Sequence, residues 1–498
     1  MPADILLDRP LSWRQVAAVA EGASLSLSPA ARSRIETARG LVQSIVEQGI
    51  RAYGVNTGVG ALCDVIVTDS KLQQLSRNIV MSHAVAVGPA LEAPAVRAVI
   101  AATINNFAHG YSGVRAEVVE RLLALLARDC IPEVPAHGSV GYLAHMAHIA
   151  LVLLGAGHAR IHGERRGGAA ALQAAGIGPL VLEAKEGLSL VNGTPCVTGL
   201  SALALKRSEQ LLDWADLIGA MSFENLHGQL SAFAPEALRL RRSPALVQVG
   251  ERLRSTLEGS AILAQSAGRR TQDPLSLRAI PQVHGAVRDQ LDHAGKATDA
   301  ELASVTDNPI VLGSPQAPRA LSEAHAVGAA IGLSADSLGI AIAELAAMSE
   351  RRIDRLLNPL VSALPAFLAS ESGVGSGFMI AQYTAVALAA ENRRLAAPAS
   401  LDGGITSGLQ EDHLCHATPA ALKLLDILAN AQIILAIELL AAAQAYDLQP
   451  TALARAPRTE SVYRAVRERI PHYADERPLA GDIELARRFL DERRTGDI

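Results

Sequence analysis

Apolar residues recur at helical spacing along most of the chain. Between residues 69 and 128 the run is interrupted at Gly88-Pro89 and Gly110, and spacing of three and four places such residues on one helix face. A Ser28-Pro29 start precedes ARSRIETARGLVQSIVEQ, a capped helix by its opening. Another helix is predicted after Tyr142, in LAHMAHIALVLLG, whereas residues 159–190 are Gly-rich and weakly periodic, reading as loops with short strands. Three long helical tracts follow, at about 197–232, 321–357 and 418–447, the middle one stopped by Asn358-Pro359. Tracts of this length must cover their apolar faces with partner helices. The pattern therefore predicts a mainly α fold with a long central helix bundle, extended by contacts between copies. The N-terminal part is mixed, and the tail from 448 reads as smaller capping helices. The expected divisions are 1–195, 196–450 and 451–498.

Composition sharpens this picture. Of 498 residues 49% are hydrophobic but only 3% aromatic, so the core rests on Ala, Leu, Val and Ile. Such a core suits close-packed helices, since Ala is the best helix former. A net charge of -5 makes no electrostatic case for nucleic acid or an anionic membrane as partner. The four scattered cysteines (Cys63, Cys130, Cys196, Cys415) form no CxxC pair and read as reduced, mostly buried thiols. MPADILLDRPLSWRQ has no basic stretch followed by an apolar one, so no signal peptide is expected. The apolar run AQIILAIELLAAAQA (431–445) is broken by Glu438 and reads as a core helix too short to span a membrane. A cytoplasmic, soluble protein is the expectation.

Several short motifs carry candidate chemistry. YGVNTGVG (53–60) is a Gly-rich turn fronted by Tyr53, and no GK[ST] follows to make it a phosphate loop. In SLVNGTPCVTG, Asn192 lies in a turn where it can cap the next helix. Arg278, between prolines in QDPLSLRAIP, either pairs with an internal carboxylate or forks onto a substrate carboxylate. LQEDHLCHA gathers Glu411, Asp412, His413 and His416 at spacings unlike the zinc patterns, so no metal is expected. His83 in MSHAVAVG reads on its own as a structural histidine. Finally GSVG (138–141) runs straight into Tyr142 and the helix behind it.

Taken in order, YGVNTG, SHAVAVG, GSVG, LVNGT, QDPxSLR, VTDNP, SERRI, SGFMIAQYTA and QEDH resemble the histidine ammonia-lyase branch of the aromatic amino acid lyase family from about residue 10 to 450. The related aspartase and fumarase group is disfavoured because its Gly-Ser-Ser-x-Met-Pro-x-Lys-x-Asn loop is not found. The resemblance implies an ammonia-lyase-type (aspartase/fumarase-like) helix bundle, a homotetramer whose active sites draw on neighbouring subunits, and elimination of ammonia from an L-α-amino acid to an α,β-unsaturated acid. It further implies 4-methylidene-imidazol-5-one (MIO), made from Ala-Ser-Gly after GSVG. That tripeptide would stand between Gly141 and Tyr142, which are then expected to be bridged rather than directly bonded. By the same resemblance Tyr53 is the base that removes the β-proton, needing cationic or dipolar neighbours to act at neutral pH. Arg278 clamps the substrate carboxylate, Asn192 holds the prosthetic group or carboxylate, and Gln272 lines the site. His83 and Glu411 face the substrate side chain and favour histidine or a histidine-like polar amino acid.

Departures from the family pattern bear on that substrate. Leu275 replaces a tyrosine of QDPYSLR, Ala326 replaces an aromatic wall, Leu409 stands where Asn precedes Gln-Glu-Asp, Val59 replaces a phenylalanine, and Tyr142 takes the place of an aspartate. They predict a pocket wider and less polar on one side. Two alternatives stay open: a 2,3-aminomutase of the same family, and a non-catalytic homologue in which the tripeptide is truly deleted.

Overall fold

The structure is a computed structural model that describes residues 4–401, 403–449 and 453–498; the boundary expected between 450 and 451 lies outside them. The architecture is mainly α, with small sheets of two or three strands. The chain divides into two compact units: Met1–Lys206 with Ala294–Asp336 and Pro398–Lys423, and Arg207–His293 with Ser337–Ala397 and Leu424–Ile498.

Unit 1 holds the mixed N-terminal part. Helix Pro29–Glu47 starts where Ser28 accepts the Ala31 amide at 3.0 Å, with proline in its first turn. Its apolar face (Leu41, Val42, Ile45) packs with Val55, Leu72 and Val311 in one buried cluster, which anchors the underside of the 53–60 turn. Small residues let helices approach closely. A Cβ at Gly199 would lie 2.6 Å from the Ala98 and Val99 backbone, so helix Pro195–Asn225 rests directly on helix Ala93–Ala108.

In unit 2 the long helices bury a polar knot. Ser222, Ser349 and Arg352 all donate to Glu438, and Arg352 and Glu438 have no exposed side-chain surface. Nearby, Asp216 joins His284 at 2.8 Å and Arg288 at 2.6 Å. Buried charges persist only when paired and hydrogen-bonded, and these are.

Several boundaries differ from the sequence expectation. The first long tract stops at Asn225 rather than 232, because His227 turns to φ 54° and Gly228 folds back on Phe223. The second starts at Ala329, since strand Ala317–Leu321 takes the beginning of the expected tract. Helices Gly168–Ala174 and Glu186–Val191 occupy part of the segment read as loops and strands. Helix Ile280–Leu302 was not foreseen at all. The apolar run 431–445 belongs to a 32-residue helix, Ala417–Leu448, which is long and apolar enough to cross a membrane by length and composition, as are stretches within Glu186–Asn225 and Ala329–Leu357. Most of each apolar window is buried inside the protein.

Candidate functional site

Tyr53 sits in a turn locked by its own polar residues. Asn56 Oδ1 accepts the Ala52 amide at 2.8 Å and Thr57 Oγ1 accepts the Gly54 amide at 3.0 Å. Gly54 has φ +60°, and a Cβ there would strike Leu188 at 2.2 Å, so glycine is required. The Tyr53 hydroxyl accepts the Gly60 amide at 3.1 Å. Burial pushes its pKa above the ordinary value, the Gly60 N–H opposes this, and the Glu411 and Cys63 charges push it further up. Among the described residues no cationic group is a leading influence on this base, and the Gly60 amide is the dipolar donor that lowers its pKa.

A cavity of about 800 Å³ opens beside Tyr53, entirely within unit 1. His83, Asn192, Tyr142, Ala326 and Glu411 line it with Tyr53. His83 ends helix Leu72–His83, and its Nδ1 donates to the Ile79 carbonyl at 2.7 Å, which leaves Nε2 as an acceptor on the neutral ring. Burial holds its pKa below the usual value. Asn192 does not cap the following helix: it ends Glu186–Val191 and donates to the Asn308 carbonyl at 2.6 Å. Behind it Lys185 and Asp307, both without exposed side-chain surface, pair at 2.9 Å and share the Ser189 hydroxyl.

The remaining candidates lie elsewhere. Gln272, Leu275 and Arg278 belong to unit 2 and do not line this cavity. Gln272 and Leu275 are exposed, and Arg278 is half-buried with its Nε lacking a partner and no carboxylate paired to it among the described residues. Leu409 is 73% exposed beside the lining residue Gln410. A larger cleft of about 990 Å³ in unit 2, around Gly228, Glu251 and Arg270, contains none of the candidates; convergence of chemistry, not volume, selects the smaller one.

Sequence reasoning missed Glu323, Asp64 and Arg51. Arg51 pairs with Asp64 at the rim. Glu323 accepts the His325 amide with one oxygen, while the other, Oε1, is buried without a partner. Its position directly before the quoted Ala324-His-Ala-Val-Gly328 was the only available signal. Burial raises its pKa, opposed by the His325 amide.

The join between Gly141 and Tyr142 is closed. Thr418 donates to the Gly141 carbonyl at 2.7 Å, and the His416 amide donates to Val140 at 3.0 Å. Ser139 Oγ accepts the Gly141 amide and donates to the Tyr142 carbonyl. Leu143 then takes φ 76°, ψ -75°, with the Ala144 amide on the Tyr142 carbonyl at 3.2 Å, a three-residue γ-turn in its strained form. Helix Ala144–Leu153 follows at once. Tyr142 is 8% exposed and its hydroxyl donates to Glu411 Oε2 at 2.9 Å. Burial and that carboxylate hold the phenol far above its usual pKa. The residues present therefore do not fit MIO. Gly141 and Tyr142 are consecutive, no Ala-Ser-Gly occurs anywhere in the chain to cyclise, and Tyr142 closes the loop onto Glu411.

Comparison with known proteins agrees with the motif order. The aromatic amino acid lyase profile matches residues 11–468. A histidine ammonia-lyase of Anaeromyxobacter dehalogenans is 43% identical, covering 98% of each chain. Among solved structures, a tyrosine aminomutase from Streptomyces globisporus superposes with a TM-score of 0.92 at 34% identity, over 98% of this chain and 97% of its own. The ergothioneine-degrading enzyme ergothionase of Treponema denticola superposes with a TM-score of 0.92 at 27% identity, over 99% and 100%.

Proposed function

The chain belongs to the aromatic amino acid lyase family and is a carbon–nitrogen lyase of the ammonia-lyase type, and from that premise we propose that its substrate is an imidazole-bearing or similarly polar α-amino acid. Tyr53 removes the β-proton, the α-nitrogen departs, and an α,β-unsaturated acid remains. The observation that carries this reading is the convergence of Tyr53, His83, Asn192 and Glu411 on one cavity. His83 Nε2 accepts a ring N–H, and Glu411 meets the far side of the ring. A purely apolar ring would leave His83 Nε2 unpaired, at about 1–3 kcal/mol, and would give the Glu411 carboxylate no donor beyond Tyr142. Ala326 leaves room for a side chain larger than histidine's. Relatives named for histidine and for ergothioneine, both imidazole compounds, support the same class.

Arg278, Gln272 and Leu275 complete the site from neighbouring copies in a cytoplasmic homotetramer. Exposed Ile380 (60%), Tyr383 (64%) and Val386 (43%) on helix Met379–Leu395 form an apolar stripe suited to such contacts. The test compares kcat/KM for histidine-type and phenylalanine-type substrates. Preference for the imidazole supports the reading, and a tenfold preference for the phenyl ring sinks it. An aminomutase must keep the departing amine and return it, which a β-amino acid product would reveal.

A further inference from the structure

The closed join bears on which amine can leave. Loss of nitrogen from a free α-amino acid is difficult for two reasons. Neutral amine is expelled only as an amide anion, and the ammonium form carries N–H protons far more acidic than the β C–H. A phenolate base with a pKa near or above about 10 takes an ammonium proton first, returning the substrate to the form that cannot leave. An electrophile that captures the nitrogen would lift this barrier, but the loop that would carry one is occupied by Tyr142 bound to Glu411, with the Gly141 carbonyl held by Thr418 and no Ala-Ser-Gly in the sequence.

Resting on the assignment of Tyr53 as base, we propose that the substrate of this chain is a betaine, an α-trialkylammonio acid, which leaves as a neutral tertiary amine. A quaternary nitrogen has no N–H to lose and keeps its charge at every pH. With the ammonium N–H protons gone, the phenolate is no longer consumed by them and is free to act on Cβ–H. The phenolate oxygen takes that proton, the C–H pair becomes the Cα–Cβ double bond, and the C–N pair departs with the nitrogen. Atoms and electrons balance without oxidant or cofactor.

The cavity has the matching charge. Its lining carboxylates among the described residues are Asp64, Glu323 and Glu411, and its arginine, Arg51, is already engaged by Asp64. Glu323 Oε1 is buried with no hydrogen-bond partner in the chain, so this oxygen is uncommitted and can face a substrate cation. A quaternary ammonium is such a cation, attracted by Coulomb force without hydrogen bonds. The small side chains of Ala324 and Ala326 on the same wall leave space for its alkyl groups.

The experiment uses the full chain with two matched pairs, L-histidine and its Nα-trimethyl betaine, and L-phenylalanine and its Nα-trimethyl betaine. Unsaturated acid is followed by absorbance, and trimethylamine or ammonia is quantified. The expected result is a betaine kcat/KM at least about a hundredfold above that of the matched amine, with trimethylamine equal to acid formed. Glu323→Gln should raise KM for the betaine more than it lowers kcat. Equal or faster turnover of the free amine overturns the proposal, as does an intact mass above the 52.1 kDa of the sequence by a dehydrated tripeptide. Betaine preference with no imidazole preference upholds the leaving-group proposal and sinks the side-chain reading; the reverse result does the opposite. No turnover of any of the four compounds by folded protein overturns the proposal together with the role of Tyr53.

Discussion

Tyr53 and Tyr142 are both tyrosines in one cavity, yet their surroundings give them opposite tasks. Tyr53 accepts a hydrogen bond from the Gly60 amide, which favours its anion, whereas Tyr142 donates to Glu411, which favours its neutral form. Tyr53→Phe should therefore abolish turnover of any substrate, measured as product formation, while Tyr142→Phe should leave a base in place. Loss of the bond to Glu411 should cost about 1–3 kcal/mol of stability, read from the denaturant midpoint. The raised pKa of Tyr53 also sets a pH dependence. A base must be deprotonated, so kcat/KM, which reports the free enzyme, should climb with pH through neutrality and still be climbing at the ordinary tyrosine pKa of about 10. A plateau below pH 8 would show that some other group is the base. Bound cationic substrate favours the phenolate, so the kcat profile should lie at lower pH than that of kcat/KM.

Elements are held to the site by buried pairs rather than by surface contacts. The Lys185–Asp307 pair ties the start of helix Glu186–Val191 to the segment that carries Asn308, the partner of Asn192. Lys185→Met leaves Asp307 charged and unpaired and should destabilise the fold by about 3–5 kcal/mol, whereas Lys185→Met with Asp307→Leu should recover most of that loss. Chemical denaturation of the two variants decides it. Helix Ile280–Leu302 shows why elements of this kind escape a sequence reading. Its buried seam runs through Ile280, His284, Val287, Ala294, Thr298 and Leu302, so polar residues stand at core positions. His284 is there because Asp216 meets it, which no local pattern announces. Where the seam is mostly aliphatic, as in Ala417–Leu448 apart from Thr418, Glu438, Gln444 and Tyr446, the helix is evident from the sequence.

At the scale of the whole molecule the central question is assembly. Arg278, Gln272 and Leu275 are outside the cavity that holds the base, and the apolar stripe on helix Met379–Leu395 is uncovered. If the proposed tetramer uses this stripe, a double substitution Ile380→Glu with Tyr383→Glu should shift the light-scattering mass toward smaller species and remove activity with it. An active monomer would contradict the tetramer reading and the assignment of Arg278 to the site together.

The order of short motifs in the sequence was enough to establish the family, because each motif is local and their succession is specific. It was also enough to mark Tyr53, His83, Asn192, Ala326 and Glu411, all of which line one cavity. Local composition likewise announced the long aliphatic helices. The fate of the join at Gly141 was another matter. That Tyr142 would turn inward and close on Glu411 could not be read from either residue, since 269 positions separate them and only the folded chain brings the 406–418 segment against the loop. The same holds for Glu323, whose unpartnered oxygen is a property of burial and neighbours. Residue identity selects which chemistry is available, and tertiary packing decides which groups are desolvated, paired or left facing the substrate, because those energies depend on contacts that sequence order does not encode.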